Sequence, residues 1–207
     1  MAIAPKIANK YLSVLFVILW TACSPSDAPD IPWVQKATIK IDGLFDSTEW
    51  KQSSTIRLTP NNCLYLMQDE ESLFLGLRHN EDVKRYVDLY FHNDSIGTIN
   101  LHASMQLGER VLKDRWNDTI PGWSWGNNTY WMANRVEIRK EANENPFPEN
   151  LNPYEGHEFQ ISKKKLKGKQ IKLRLEIRDF MGKASDLSFP VHSQRYQTDQ
   201  WMLLRLE

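Results

Sequence analysis

Cysteine is nearly absent, with Cys23 and Cys63 the only two in 207 residues. That excludes a disulfide-stapled scaffold and any cysteine-rich zinc site. An excess of one charge is missing too. The 26 Lys and Arg balance 26 Asp and Glu, so there is no electrostatic footprint for nucleic acid. No apolar run reaches the roughly 20 residues that a membrane-spanning helix needs. Internal repeats and sustained helical periodicity are also lacking, and the length fits one domain. What the chain does have is tryptophan, at positions 33, 50, 116, 123, 125, 131 and 201 beyond the first 22 residues.

Residues 1–22 read as an export signal. Lys6 and Lys10 form a positive start, Tyr11 to Trp20 an apolar stretch, and the small Thr21 and Ala22 precede Cys23. The segment Leu19-Trp20-Thr21-Ala22-Cys23 resembles the lipobox of bacterial lipoproteins, with Trp20 where that pattern usually has leucine. The resemblance implies cleavage before Cys23 and a diacylglyceryl group on its thiol. Each buried lipid CH₂ contributes about 0.8 kcal/mol, so acyl chains there hold a soluble domain at a membrane. Ser24 to Pro32 is rich in Pro, Ser and Asp and reads as a tether. The expected organisation is a signal peptide (1–22), a lipidated tether (23–32) and one domain (33–207). The expected location is the periplasmic or outer surface of a bacterial membrane. Loss of residues 1–22 removes two lysines and no acid, leaving the rest slightly acidic. With Cys23 acylated, Cys63 is a lone thiol beside Leu64 and Leu66 and is expected to be a small buried hydrophobe.

Beyond the tether, short apolar and alternating runs are separated by turn residues. Strands are expected at Trp33–Ile41, Ile56–Leu58, Cys63–Met67, Ser72–Leu77, Val87–Phe91, Ile96–Ala103, Met105–Leu112, Trp131–Arg139, Glu158–Ile161, Gln170–Arg178 and Trp201–Leu206. In Gln170–Arg178, Ile171, Leu173, Leu175 and Ile177 alternate with charged residues, the pattern of a half-buried strand. The lysine run 163–169 is expected as a solvated turn. Many short strands with turn signals between them predict an all-β fold, an antiparallel β-sandwich with a wet outer face. Two long irregular segments remain, Lys113–Tyr130, rich in aromatics, and Glu141–Gly156.

The stretch Ile39-Lys40-Ile41-Asp42-Gly43-Leu44-Phe45-Asp46-Ser47-Thr48-Glu49-Trp50 resembles the opening of family 9 carbohydrate-binding modules and their relatives. That opening is a strand, then Asp-Gly, then an acidic turn, then a tryptophan. Leu66–Asn80, Val87–Phe91, Tyr154–Ile161 and Trp201–Leu206 resemble later elements of that family in the same order. The resemblance implies a jelly-roll-like β-sandwich that binds sugar and does no chemistry itself.

Trp116, Trp123, Trp125 and Tyr130, with Asp118, Asn127 and Asn128, form the candidate carbohydrate-binding set. Indoles cover the apolar C–H faces of sugar rings, and nearby amides and carboxylates take the hydroxyls. Trp131 begins a strand, and Trp33, Trp50 and Trp201 are expected in the core. Asp42, Asp46 and Glu49 offer oxygens for a structural calcium, without a spacing that fixes one. No spacing pairs a His with a Met as haem ligands, and no catalytic residue or serine nucleophile is singled out. The reading is a non-catalytic lipoprotein that binds oligo- or polysaccharide and supports glycan capture or breakdown. A structural lipoprotein docking an envelope protein stands as the alternative, with a haem-binding relative or a glycoside hydrolase component behind it.

Overall fold

The computed structural model describes residues 28–46, 48–79, 85–112, 122–126, 128–136, 155–179 and 186–207. The expected signal peptide (1–22), Cys23, Trp116, Asp118, Asn127 and residues 141–154 lie outside the described residues. In chain order the strands are β1 (Ser54–Arg57), β2 (Asn62–Gln68), β3 (Ser72–His79), β4 (Arg85–Asn93), β5 (Gly97–Ala103) and β6 (Leu107–Leu112). Then come β7 (Ser124–Trp125), β8 (Trp131–Ala133), β9 (Gly156–Ser162), a single helical turn α1 (Lys163–Leu166), β10 (Gln170–Asp179), β11 (Leu187–Phe189) and β12 (Met202–Arg205). The fold is all-β. A five-stranded sheet in the order β1-β2-β3-β9-β8 faces a seven-stranded one in the order β11-β10-β4-β5-β6-β7, and β12 also pairs with β10.

Period-2 alternation drives the two sheets together. Leu64, Leu66, Leu73, Leu75, Leu77, Phe159 and Ile161 of the smaller sheet meet Val87, Leu89, Phe91, Leu101, Leu173 and Leu175 of the larger, all at or near zero exposure. Most of the expected strands form, and the hairpins β2–β3 and β4–β5 follow the sequence closely.

Several expectations are overturned. Trp33–Ile41 is not a strand: it makes one parallel bridge, Trp33 to Gln68, and then runs as turns and irregular chain. Trp33 itself is 47% exposed, because Ile31 and Val34 on either side of it fill the apolar sites. Cys63 is half-buried, since it points out of the sheet while Leu64 points in. The lysine run forms α1, capped by the Ser162 hydroxyl. Two outward residues of β10, Arg174 and Glu176, are buried rather than wet.

The centre of the outer face of the smaller sheet is covered by residues 34–46 and 48–53. Val34, Trp50, Met67 and Phe74 cluster there with Phe45 and Tyr65. One carboxylate anchors this cover. Glu158 accepts the Trp50 indole N–H at 2.9 Å and the backbone N–H groups of Asp42 and Gly43 at 3.0 and 2.8 Å. Gly43 sits at φ +82°, and a Cβ there would lie 2.5 Å from the Asn134 amide, so the turn requires glycine. Gly76 lets Phe45 and Trp50 approach: a Cβ would lie 2.8 Å from each ring.

Burial pushes the Glu158 carboxyl above its ordinary value of 4.5, against the three donors that hold it down. A folded pKa raised in this way means a stabilising contribution that is complete below 4.5 and is lost as pH climbs through the folded value. Trp50→Phe removes a donor that serves the ionised form. It is expected to cost about 1–3 kcal/mol, more at pH 7 than at pH 4 in urea denaturation. An equal loss at both pH values would count against the role given to Glu158.

Candidate functional site

The outer face of the larger sheet carries the polar and aromatic side chains. Strand register lines them up in rows. Glu176 on β10 stands opposite Asp88 on β4, which stands opposite His102 on β5, then Gly108 on β6, then Trp125 on β7. The neighbouring row is Arg174, Tyr90, Asn100 and Arg110.

At the β7 end the row is aromatic. Trp123 and Trp125 project from alternate positions onto the same face, with ring centroids 5.4 Å apart and planes 34° from parallel. They lie over Gly108, where a Cβ would come within 2.7 Å of the Trp125 ring. The Arg110 guanidinium sits 4.1 Å from the Trp123 centroid, a cation–π contact, and its Nε donates to Asn100 at 2.9 Å. His102 meets both indoles, at 5.2 and 5.6 Å, and the Tyr86 ring at 5.4 Å. Trp125 remains 49% exposed, so part of its ring faces solvent.

Both His102 nitrogens are engaged. Nδ1–H donates to Asp88 at 2.9 Å, and Nε2 lies 2.9 Å from Ser104 Oγ. This connectivity is that of a Ser-His-Asp relay. Ser104 Oγ, however, is bound into the bend after β5: it accepts the Gln106 N–H at 3.2 Å and lies 3.1 Å from the Gln106 carbonyl. The residue is buried, and the indoles pack on the imidazole. The relay therefore fixes the His102 ring as a support beneath the tryptophans. A second serine pattern, passed over in the sequence, is Gly122-Trp123-Ser124-Trp125-Gly126, with Gly-x-Ser-x-Gly spacing. A nucleophile elbow joins a strand to a helix. Ser124 instead lies in the two-residue strand β7 opposite Glu109.

At the β10 end the row is ionic. Glu176 accepts from Arg174 at 2.6 Å, from Arg178 at 2.6 and 3.2 Å, and from Arg195. Arg174 also donates to the Ser193 carbonyl at 3.2 Å. These bonds hold residues 190–201 across the face. Trp201 packs there with Tyr90 and Leu112. Burial, together with Asp88 and Glu176 nearby, pushes the Tyr90 hydroxyl well above its ordinary value, so it stays neutral.

No known protein family's profile matches the chain. No curated protein matches it either. Among solved structures it is similar to a carbohydrate binding module family 9 (CBM9) from Caldicellulosiruptor kristjanssonii in complex with cellotriose. Sequence identity is 11%, the match covers 86% of this chain and 94% of that one, and the TM-score is 0.48.

Of the residues expected to bind sugar, the structure brings Trp123 and Trp125 together. Tyr130 lies elsewhere, 59% exposed, in a cavity of about 370 Å³ that it lines with Val111, Lys164 and Lys165. Asn128 is half-buried, and its side-chain oxygen has no hydrogen-bond partner among the described residues. Trp131 is buried and donates its indole N–H to Glu109 at 2.7 Å. Asp42 Oδ1 accepts the Leu44 N–H and Asp46 Oδ1 the Thr48 N–H, as satisfied turns do. Among the described residues no group of three or more His, Cys, Asp or Glu is placed to hold a metal. Sequence reasoning missed Asp88, His102, Arg110 and Tyr86. The signal was present in β4, where Tyr86, Asp88, Tyr90 and His92 alternate with Val87, Leu89 and Phe91.

Gly108→Val should keep the strand, since a β-branched residue suits it, and drive both indoles off the face. The exciton couplet of stacked tryptophans in circular dichroism is expected to vanish while the sheet signal stays. A preserved couplet would show that the indoles do not rest on Gly108.

Proposed function

We propose that this protein is a non-catalytic carbohydrate-binding lipoprotein of a bacterial cell envelope, with Trp125 and Trp123 as the surface on which a sugar ring stacks. The observation that carries this reading is the half-exposed Trp125 ring, backed by Trp123 and bordered by the Arg110 guanidinium and the Tyr86 and His102 rings. A pyranose has an apolar face and an equatorial belt of hydroxyls. An indole with a guanidinium donor beside it matches both. The indoles are already packed in place, so little side-chain freedom is lost on binding. The lipid on Cys23 and the tether to residue 32 would hold the domain at the membrane, where it would capture glycan for breakdown by other proteins.

Two outcomes are expected. Intrinsic fluorescence titrated with a panel of oligosaccharides should show a saturable shift for one sugar class. Trp125→Ala should weaken that binding at least tenfold without a fall in melting temperature beyond a few degrees, and undiminished binding would sink the site assignment. Cys23→Ala should abolish labelled palmitate incorporation and release the protein from the membrane fraction. Persistent labelling would remove Cys23 as the acylated residue.

A further inference from the structure

The outer face of the larger sheet holds more positive charge than its own structure requires. Four arginines, Arg110, Arg174, Arg178 and Arg195, stand on this face against two carboxylates, Glu176 and Asp88, with Asp186 at the rim 3.8 Å from Arg178. Asp88 is taken by His102. Over the whole chain positive and negative charges balance, so the surplus is local. A buried carboxylate needs a counter-ion, and Arg174 supplies it. The Arg174 side chain is buried and is tied on its other side to Ser193. Arg178 and Arg195 differ. Their side chains are 30% and 28% exposed, so part of each faces solvent. Glu176 has no acceptor capacity left for them, since its two oxygens already take five guanidinium N–H groups and lie near the Tyr90 hydroxyl.

Resting on the saccharide-binding reading above, we infer that the ligand is an acidic saccharide. Its carboxylate or sulfate groups meet Arg178 and Arg195, while a ring face packs on Trp125. The planar guanidinium fork suits both oxyanions and adds geometric selectivity to charge. The two ends of the row are four strand spacings apart, about 19 Å. That is the length of a short oligosaccharide laid across the strands. Tyr86 stands between the ends. It is opposite Arg178 in the register, and its ring touches His102. Desolvation and the nearby Asp88, Asp186 and Glu176 raise its hydroxyl above the ordinary phenol value, so it stays neutral.

The test is native affinity electrophoresis of the purified protein. Gels contain polygalacturonate or alginate for carboxylate, ι-carrageenan for sulfate, and hydroxyethylcellulose or galactomannan as neutral polymers. Retardation is expected in acidic gels of one class, weakening as NaCl is raised. Arg178→Gln and Arg195→Gln should each bind about tenfold more weakly. Equal retardation by neutral polymers, unchanged in both arginine variants, overturns the acidic ligand and leaves saccharide binding standing. Acidic-gel retardation of the unaltered protein that ignores NaCl overturns it without any variant. Mobility unaffected by every polymer overturns the saccharide reading itself.

Discussion

A single buried carboxylate organises the functional face. Glu176 is in the middle of β10, pointing away from the core, where an alternating strand would ordinarily put a solvated charge. Its burial is costly unless the charge is paired and its lone pairs are filled. The pairing comes from two directions. Arg174 and Arg178 flank it on its own strand, and Arg195 arrives from the chain that follows β11. Because Arg195 must reach Glu176, residues 190–201 are drawn over the sheet. Trp201 then follows, its indole N–H donated to the Gln194 carbonyl at 2.8 Å and its ring set against Tyr90. The face is thereby divided into a partly covered ionic half and an open aromatic half.

The smaller sheet reaches a different end by the same device. Glu158 also points outward from its strand and is also buried, but it gathers neutral donors, an indole and two backbone amides. The segment it anchors lays apolar groups over the centre of the sheet, with Trp50 lying against Gly76 where no side chain stands in the way. The difference has a physical source. Three neutral donors satisfy a carboxylate without bringing charge, so apolar groups can pack around it. Three guanidinia bring surplus charge that must keep some contact with solvent. That is why one face of the sandwich has an apolar cover at its centre and the other retains open polar and aromatic surface.

Much of this was legible in the sequence, and the failures share a cause. Alternation identified β2, β3, β4, β5 and β10 because an inward apolar row is dictated locally by the pleat. The Asp42-Gly43 turn and the burial of Trp50 were also readable, since only glycine fits φ +82° there. Cover could not be read. Whether Arg174 and Glu176 are wet depends on Arg195, some 20 residues away and unmarked by any local pattern. Trp33 was misjudged for the same reason, because Ile31 and Val34 claim the apolar sites beside it. Within the aromatic segment, Trp123 and Trp125 were recognisable by type. Their support was not, because Gly108, His102 and Arg110 come from two other strands. Tyr130 was grouped with them by nearness in sequence, yet it lines the cavity beside α1.

The position of the indoles at a sheet edge follows from how little of that edge is paired. β7 matches only Gly108 and Glu109, so β6 beyond them presents unpaired backbone among the described strands. Edges left open invite pairing with other chains, and bulky or charged cover is one remedy. Trp123 and Trp125, folded back over Gly108 with Arg110 stacked on top, provide such cover while keeping one ring available. Under the proposed function the requirements of stability and of binding then coincide. Each indole has two side-chain torsions, and both rings are packed against His102, whose two nitrogens are tied to Asp88 and Ser104. A ligand meeting Trp125 finds a ring already ordered and largely desolvated on its inner side. The ordering cost has been met in folding rather than in binding, which is the condition under which a few stacking contacts and hydrogen bonds give usable affinity.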